Sequence, residues 1–282
     1  MQVCQSIEDI RVALDNKRSH GHSIGFVPTM GNLHAGHIRL VEMAKQRCDS
    51  VVVSIFVNPL QFGANEDLDK YPRTLKEDKK KLVDAGANLL FLPTGDEIYP
   101  EGLEPHAKVT VPNLTSPLCG ANRPGHFTGV TTVVAKLFNI TQPDVAFFGE
   151  KDFQQLAVIR KMAMDLCMPL KIIGVPTMRE DDGLAMSSRN GFLSKANREQ
   201  APHIYASLKN TKQLLVNGDR DFSTICAKAG EALTKVGFEL DYFDIRRSDD
   251  LELASAKDSH LVIAVAAKLG STRLIDNITV KL

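Results

Sequence analysis

The sequence lacks two patterns that mark common classes of nucleotide-binding protein. Its 19 glycines are never separated by a single residue, so G-x-G-x-x-G, the fingerprint of many nicotinamide-dependent enzymes, cannot occur. No glycine directly precedes a lysine, so the P-loop of many ATPases and GTPases is absent as well. These absences exclude a dehydrogenase with the G-x-G-x-x-G fingerprint, and they also exclude a P-loop enzyme.

Excess charge of one sign, paired cysteines and long apolar runs are also missing. The 34 basic and 34 acidic side chains cancel, which argues against a nucleic acid or a membrane as the main partner. The longest apolar stretches, at 51–57 and 261–267, have the length of strands. The five cysteines stand singly, without a C-x-x-C pair for a metal. With no signal-peptide pattern at the N-terminus, this composition predicts a cytoplasmic location.

Up to about residue 176, strand-like apolar runs alternate with helical patterns. The runs cover 24–27, 51–57, 89–92, 145–148 and 172–175, and the helical patterns cover about 37–48, 74–86, 127–140 and 152–166. Such alternation predicts an α/β fold with a Rossmann-like, doubly wound parallel sheet. Because ligands of such sheets bind at the carboxyl ends of the strands, the polar segments that follow the strands are the candidate site.

The region after residue 190 has a different pattern. Helical patterns at about 195–216 and 221–236 precede strand-like runs near 241–246, 261–266 and 273–275. Helices followed by strands are typical of an α+β unit. We therefore predict a nucleotide- and substrate-binding domain at 1–176 and a smaller C-terminal α+β lid domain at 177–282.

The strongest functional signal is the segment 28–37, with the sequence PTMGNLHAGH. It leads from a predicted strand into an amphipathic helix, where free backbone N–H groups and the helix dipole favour an anion. His34 and His37 share one face of the first helical turn, and Gly36 leaves room for a ligand near the backbone. This order has the form of the HIGH motif of adenylyl-transferring enzymes. In isolation, the two histidines could equally lie on a helix surface or form half of a zinc site.

Two later segments carry groups suited to phosphate. In 148–155 (FGEKDFQQ), Lys151 opens the predicted helix and can hold a phosphate as a point charge, whereas the neutral amide of Gln155 suits hydroxyls or a carboxylate. In 185–190 (AMSSRN), two hydroxyls and Arg189 could bind leaving phosphates from a mobile lid. Taken alone, either segment could be an ordinary turn with helix caps.

Four further polar residues are candidates on weaker grounds. Asn58 and Gln61 follow a buried strand, where amides are costly unless they find partners, and Gln61 is a candidate to face a polar substrate. Arg123 lies in RPGHF, a candidate anion loop on the substrate side, although this composition also suits a plain turn. Asp78 could hold magnesium directly or through water, and a solvated helix face is equally plausible.

In this order along the chain, the motifs resemble those of the pantoate–β-alanine ligase family. The resemblance is dense through residue 193 and looser after it. It is carried by 28–37, 54–62 (SIFVNPLQF), 71–74 (YPRT), 123–127 (RPGHF), 148–155 and 185–190, with 269–270 (LG) and 273–277 (RLIDN) as the last recognisable block. Cys119 stands before Gly120 where an acidic residue is often expected, which casts little doubt on the chemistry.

The resemblance implies a reaction. ATP would activate pantoate as a pantoyl adenylate with release of pyrophosphate, and β-alanine would then displace AMP to give pantothenate, a precursor of coenzyme A. It further implies Mg²⁺ with the phosphates, helped by Asp78, and a homodimer. Competing hypotheses are a HIGH-type nucleotidyltransferase acting on a phosphate monoester and a nucleic-acid-binding relative of the aminoacyl-tRNA synthetases.

The resemblance also implies roles for particular residues. His34, His37, Lys151 and Arg189 would be catalytic, with His37 the donor toward the developing pyrophosphate. Gln61 and Gln155 would hold pantoate, with Asn58 and Arg123 on the substrate side. The residues implied at ATP are Met30, Gly31, Asn32, Leu33, His34, Ala35, Gly36, His37, Gly149, Glu150, Lys151, Asp152, Met178, Met186, Ser187, Ser188 and Arg189.

Overall fold

The structure, a computed structural model, describes residues 1–63 and 68–282. Its chain divides into two units. The first unit comprises Met1–Pro112, Arg123–Glu150 and Val158–Pro176, and the second comprises Asn113–Asn122, Lys151–Ala157 and Thr177–Leu282. Two short segments, 113–122 and 151–157, thus group with the C-terminal part of the chain. The division into a binding domain and a lid domain stays a prediction.

The elements of both units follow in chain order. The strands are β1 (Gln2–Cys4), β2 (Ile24–Thr29), β3 (Ser50–Ile55), β4 (Leu89–Phe91), β5 (Val145–Gly149), β6 (Lys171–Val175), β7 (Phe238–Arg247), β8 (His260–Leu269) and β9 (Thr272–Lys281). The α-helices are α1 (Ile7–Ser19), α2 (Ala35–Lys45), α3 (Leu75–Asp84), α4 (Gly95–Ile98), α5 (Cys119–Asn122), α6 (His126–Thr141), α7 (Phe153–Asp165), α8 (Lys195–Gln200), α9 (His203–Val216) and α10 (Phe222–Lys235). Short 3₁₀ turns cover Pro59–Gln61, Glu150–Asp152 and Ser188–Phe192.

The first unit is built on a six-stranded parallel sheet in the order β1-β4-β3-β2-β5-β6. The strand β3 is buried along its whole length, as a strand covered on both faces requires. Helices flank the sheet, which confirms the predicted α/β fold class. The strands β2, β3 and β5 end at residues 29, 55 and 149, and the candidate segments of this unit follow these ends.

The second unit contains a three-stranded antiparallel sheet in the order β7-β8-β9. Its core joins this sheet to α9 and α10 through buried apolar side chains that include Leu208, Leu233 and Ile263. The predicted small α+β arrangement is therefore present. The prediction of a single helix at 195–216 is wrong. The helix is interrupted between α8 and α9 at Pro202, whose missing N–H suits a helix start.

None of the described residues lies in a helix that is both long and apolar enough to cross a membrane.

Candidate active site

The His34–His37 turn joins β2 to α2. His34 is the N-cap of α2, and its Nδ1 accepts a hydrogen bond from the Gly36 N–H at 3.1 Å. His37 Nδ1 accepts from the His34 N–H at 3.3 Å, and the two ring centroids lie 4.1 Å apart. Because a backbone N–H can only donate, the proton of each neutral ring is on Nε2. The helix start therefore carries two imidazole N–H donors where an anion is already favoured.

Asp78 shapes the loop that precedes these histidines. Its carboxylate is 1% exposed and accepts from the backbone N–H of Asn32 at 2.9 Å and of Leu33 at 2.8 Å. It also accepts from the Thr74 hydroxyl at 3.2 Å. Asn32 adopts a left-handed backbone with φ 50°, a conformation that needs such local support. Asp78 thus holds the loop, a role that its sequence position did not suggest, and it is not on a solvated helix face.

The side chain of Gln61 is oriented by buried neighbours. Asn58, 1% exposed, donates from Nδ2 to the Gly129 carbonyl at 3.1 Å and to Gln61 Oε1 at 3.2 Å. Asn58 Oδ1 accepts from the Tyr99 hydroxyl at 2.9 Å. Because the Gly129 carbonyl can only accept, Asn58 must present its amide nitrogen to both partners. Gln61 therefore turns its oxygen toward Asn58 and its Nε2 toward Met30, whose Sδ lies 3.1 Å away.

The backbone of Gln61 is held from another side. Arg123 Nη2 donates to the Gln61 carbonyl at 3.3 Å, and His126 Nδ1 lies 2.8 Å from the same oxygen. Arg123 Nη1 lies 3.0 Å from His126 Nε2. Since a guanidinium has only donors, His126 accepts at Nε2 and donates from Nδ1. Arg123 therefore supports Gln61, and its direct contact with substrate stays a prediction.

The turn Pro59–Gln61 also depends on a glycine. A Cβ at Gly129 would lie 2.2 Å from the Leu60 carbonyl oxygen, a distance that real atoms do not tolerate. Only glycine at this position lets α6 approach the turn so closely. Sequence reasoning singled out Asn58 and Gln61 and missed two supports of their turn, Tyr99 and Gly129.

In the second unit, Gln154 and Gln155 have different surroundings. Gln154 is 6% exposed and bonds to the Cys119 N–H at 3.0 Å and to the carbonyls of Leu114 and Pro117 at 2.9 and 2.7 Å. It is thus occupied in tying 113–122 to 151–157. Gln155 is partly exposed, which leaves it as the candidate substrate contact that the sequence predicts.

Lys151 precedes these glutamines and is fixed through its backbone. Its carbonyl accepts from Asn277 Nδ2 at 2.8 Å. Its side chain is 18% exposed, with Nζ 3.7 Å from the Asp152 carboxylate. Gly149 and Glu150 belong to the first unit and Lys151 and Asp152 to the second, so the predicted ATP segment changes unit within one turn.

The segment 178–189 folds into a tight hairpin within the second unit. Met186 N–H donates to the Met178 carbonyl at 3.0 Å, and Arg179 pairs with Ala185. The Ser187 hydroxyl then accepts from the Arg189 N–H at 3.2 Å. The structure thus brings together Met178 with Met186 and Ser187 with Arg189, and the role of this segment as a lid over ATP stays a prediction.

Each unit also contains buried polar residues that support its candidate functional groups. Tyr99 is 3% exposed, and burial raises the pKa of its hydroxyl above the ordinary value, so it remains a donor. Asp276 and Asn277, in the RLIDN block, are also buried. The signal in the sequence that could have found these supports was a polar residue within an otherwise apolar stretch. No group of three histidine, cysteine or acidic side chains suited to a metal occurs among residues 1–63 and 68–282.

Comparison with known proteins gives one consistent result. The family model described as pantoate-beta-alanine ligase matches residues 2–279. A pantothenate synthetase of Hahella chejuensis is 61% identical over 276 residues, 98% of each chain. One of Pseudomonas fluorescens strain Pf-5 is 56% identical over 278 residues, 99% of this chain and 97% of the relative.

Solved structures agree with these relatives. The crystal structure of a pantothenate synthetase from Thermus thermophilus is 44% identical, with a TM-score of 0.92 and 99% of both chains covered. That of a pantoate-beta-alanine ligase from Francisella tularensis, complexed with beta-gamma ATP and beta-alanine, is 35% identical, with a TM-score of 0.80 and coverage of 99% of this chain and 97% of the other.

Proposed function

The chain belongs to the pantoate–β-alanine ligase family, and we propose that it forms pantothenate in two steps through a pantoyl adenylate. The overall reaction, ATP-dependent condensation of pantoate with β-alanine, follows from the family and its relatives. The competing assignment to a nucleotidyltransferase acting on a phosphate monoester is not favoured. The two-step route and the roles of individual residues are our proposal.

The chemistry explains why activation is needed. At neutral pH a carboxylate resists attack by an amine, because it is anionic and has a poor leaving group. In the first step, a carboxylate oxygen of pantoate attacks the α-phosphorus of ATP, and pyrophosphate leaves. In the second step, the unprotonated amine of β-alanine attacks the acyl carbon, AMP leaves with the bonding electron pair, and the amine gives up a proton.

The observation that carries the proposal is the pair of imidazole donors at the start of α2. His34 and His37 each accept a backbone N–H at Nδ1, so the donor of each neutral ring is its Nε2–H, a group suited to charge that develops on the departing pyrophosphate. Donors fixed before the reaction cost little reorganisation. We assign His37 as the principal donor. The loop residues Met30, Gly31, Asn32, Leu33, Ala35 and Gly36 line the nucleotide.

The second unit supplies further cations and hydroxyls. By the resemblance, Lys151, Ser187, Ser188 and Arg189 handle triphosphate charge, and Gly149, Glu150, Asp152, Met178 and Met186 contact ATP. On the substrate side, the orientation of Gln61 presents an N–H donor, which suits an oxygen of pantoate. In the complex, the pantoate oxygen would replace the Met30 thioether, a weak acceptor, as the partner of Gln61 Nε2. Gln155 provides the second amide.

Magnesium is expected with ATP, but the described residues do not fit a site made by the protein. Both oxygens of Asp78, the predicted ligand, accept hydrogen bonds from backbone N–H groups. Mg²⁺ binds through phosphate oxygens and water in many ATP enzymes, and we derive no step through it. On the resemblance, we also propose a homodimer, which light scattering of the purified enzyme would check, and a cytoplasmic location.

Isotope exchange tests the two-step route. Labelled pyrophosphate should enter ATP in the presence of pantoate and without β-alanine, because the adenylate forms before the amine is used. Exchange that needs β-alanine would contradict a separate adenylate. Exchange supported by a phosphate monoester in place of pantoate would restore the competing nucleotidyltransferase.

A further inference from the structure

The RLIDN block at 273–277 contains Asn277, which donates to the Lys151 carbonyl, and its neighbour Asp276, whose own partners have not yet been described. It lies on β9, where Asp276 pairs with Val265 and Asn277 with Ala264 of β8. Asp276 is 2% exposed and Asn277 is 8% exposed. Two neighbouring polar side chains inside a sheet are costly unless they are fully used, so their partners show what they do.

Asp276 holds the 178–189 segment through Arg179. The guanidinium donates from Nη1 to Oδ2 at 2.7 Å and from Nη2 to Oδ1 at 3.0 Å, which is the planar two-bond geometry of a strong pair. Arg179 also donates to the Gly183 carbonyl at 3.1 Å and stacks over the Tyr205 ring at 3.5 Å. The hairpin that carries Met178 and Met186 is therefore anchored to β9.

Asn277 holds Lys151. Its Nδ2 donates to the Lys151 carbonyl at 2.8 Å. The backbone N–H of Asn277 donates to Asp276 Oδ1 at 2.8 Å, so one carboxylate oxygen serves both Arg179 and Asn277. The two anchored segments are 97 and 126 residues away from β9 in sequence, and consecutive residues of one strand fix both.

We propose that Asp276 and Asn277 are positioning residues for adenylate formation, which set Lys151 and the 178–189 segment in register for one nucleotide. Adjacent Cα atoms are about 3.8 Å apart, so β9 leaves little freedom between its two attachments. Small errors in the placement of charged groups are expensive in catalysis, with about 1 Å costing on the order of a hundredfold. The inference rests on the proposed function, because it assumes that Lys151 acts on ATP.

The test measures pantoate-dependent pyrophosphate exchange in purified Asn277→Ala. We expect the maximal exchange rate to fall about tenfold or more. Asn197→Ala is the matched control, because Asn197 Nδ2 also donates to a backbone carbonyl of this unit, that of Leu269 at 3.3 Å. The control should stay within about twofold of wild type. Equal losses in the two variants would overturn the proposal.

A double variant separates positioning from a general structural role. If Asn277 acts through Lys151, then Asn277→Ala should have little further effect on exchange in a Lys151→Ala background. The same fold loss in both backgrounds would contradict the proposal. Asn277→Asp keeps the side-chain shape but directs an acceptor at the Lys151 carbonyl, so it should be at least as slow as Asn277→Ala.

Further outcomes also test the proposal. Should Asn277→Ala fail to fold, Arg179→Lys tests the other attachment, since it keeps the charge and removes the planar fork. A rate within twofold of wild type in a folded Arg179→Lys enzyme would count against the inference. Absence of exchange in the wild type would instead remove the proposed two-step route, so the two failures are distinguishable.

Discussion

The two units support their candidate functional groups by different physical means. In the first unit, the neutral side chains of Tyr99 and Asn58 set which way the Gln61 amide faces. In the second, an ion pair between Arg179 and Asp276 sets where a whole hairpin lies. A neutral network fixes the direction of a donor without burying charge, whereas a buried ion pair fixes position and depends on both charges being present.

The largest effect in this comparison should come from breaking the buried ion pair. Asp276→Ala leaves the Arg179 guanidinium, 18% exposed, without its carboxylate, and such a change costs about 3–5 kcal/mol. Urea unfolding followed by circular dichroism would show it. Asp182→Ala is the control in the same unit, because the Arg198–Asp182 pair is 36% and 39% exposed, and such pairs contribute about 0–1 kcal/mol. Comparable losses would remove the contrast between buried and exposed pairs.

A loss of comparable size is expected in the rate of the reaction, and not in stability, when one cation or hydrogen-bond donor is removed from each unit. His37→Ala and Lys151→Ala should each slow pantoate-dependent exchange by about a hundredfold to a thousandfold, the usual scale for a donor aimed at developing charge. His20→Ala, at an exposed position, and Lys161→Ala, whose side chain is 43% exposed, serve as controls. If only one of the two site variants is slow, the role proposed for the other residue in adenylate formation is wrong.

The sequence predicted the parts of the fold that long apolar runs determine. The strands β2, β3 and β5 of a parallel sheet and the helix after 28–37 follow from local pattern and helix-start chemistry, whereas the order of the strands in the sheet was not predicted. It missed β1, whose three residues, Gln2–Cys4, are too few to show a period. It also joined α8 to α9 across Pro202, although proline was a visible signal for the break.

The geometry of the candidate site was predictable where contacts are local and unpredictable where they are not. His34 and His37 lie within one turn at the start of α2, as their spacing predicted, and their role at ATP stays a prediction. The supports of Gln61 and of the hairpin come from Tyr99 and Asp276, which are 41 and 97 residues away from their partners. Asp78 illustrates the same limit, since an acidic residue on a helix gave no sign that it would bind backbone N–H groups 45 residues away.

A smaller effect should separate the neutral network from the ionic one. Tyr99→Phe removes the shorter of two hydrogen bonds to Asn58 Oδ1, which also accepts from the Leu60 N–H at 3.4 Å, and such a loss costs about 0.5–1.5 kcal/mol. We expect the KM for pantoate in exchange to rise about tenfold while that for ATP stays within about twofold. Tyr205→Phe, which keeps the ring beside Arg179, is the control. Equal changes in both KM values would mean that Tyr99 is a general structural residue.

The pH dependence of this effect follows from the direction of the pKa shift. Burial raises the pKa of the Tyr99 hydroxyl above its ordinary value of about 10. The group therefore stays protonated and remains a donor through neutral and mildly alkaline solution. The ratio of pantoate KM values between Tyr99→Phe and wild type should be constant from about pH 6 to pH 9. A ratio that falls toward one as the pH rises would show that the hydroxyl ionises in this range.

The smallest effect concerns the reactivity of the cysteine thiols, which differ in exposure between the two units. Cys167 of the first unit is exposed, whereas burial raises the pKa of Cys4 and Cys48. In the second unit, burial raises the pKa of Cys226 to about 11. Since the thiolate is the reactive form and its fraction falls tenfold for each unit of pKa above the solution pH, Cys226 should react slowly at pH 8.

Titration of the native enzyme with a thiol reagent should therefore show one fast thiol, which Cys167→Ser removes. Cys167 follows the end of α7 with a left-handed backbone, φ 50°, and Cys167→Ser changes one exposed side-chain atom without changing the Cβ. Exchange activity and unfolding midpoint should therefore be unchanged in this variant, with a change in stability of less than about 0.5 kcal/mol. Cys226→Ser should leave the fast phase intact. If Cys226→Ser removed the fast phase, the Cys226 thiol would be accessible to the reagent despite its burial. The second unit would then open readily in solution.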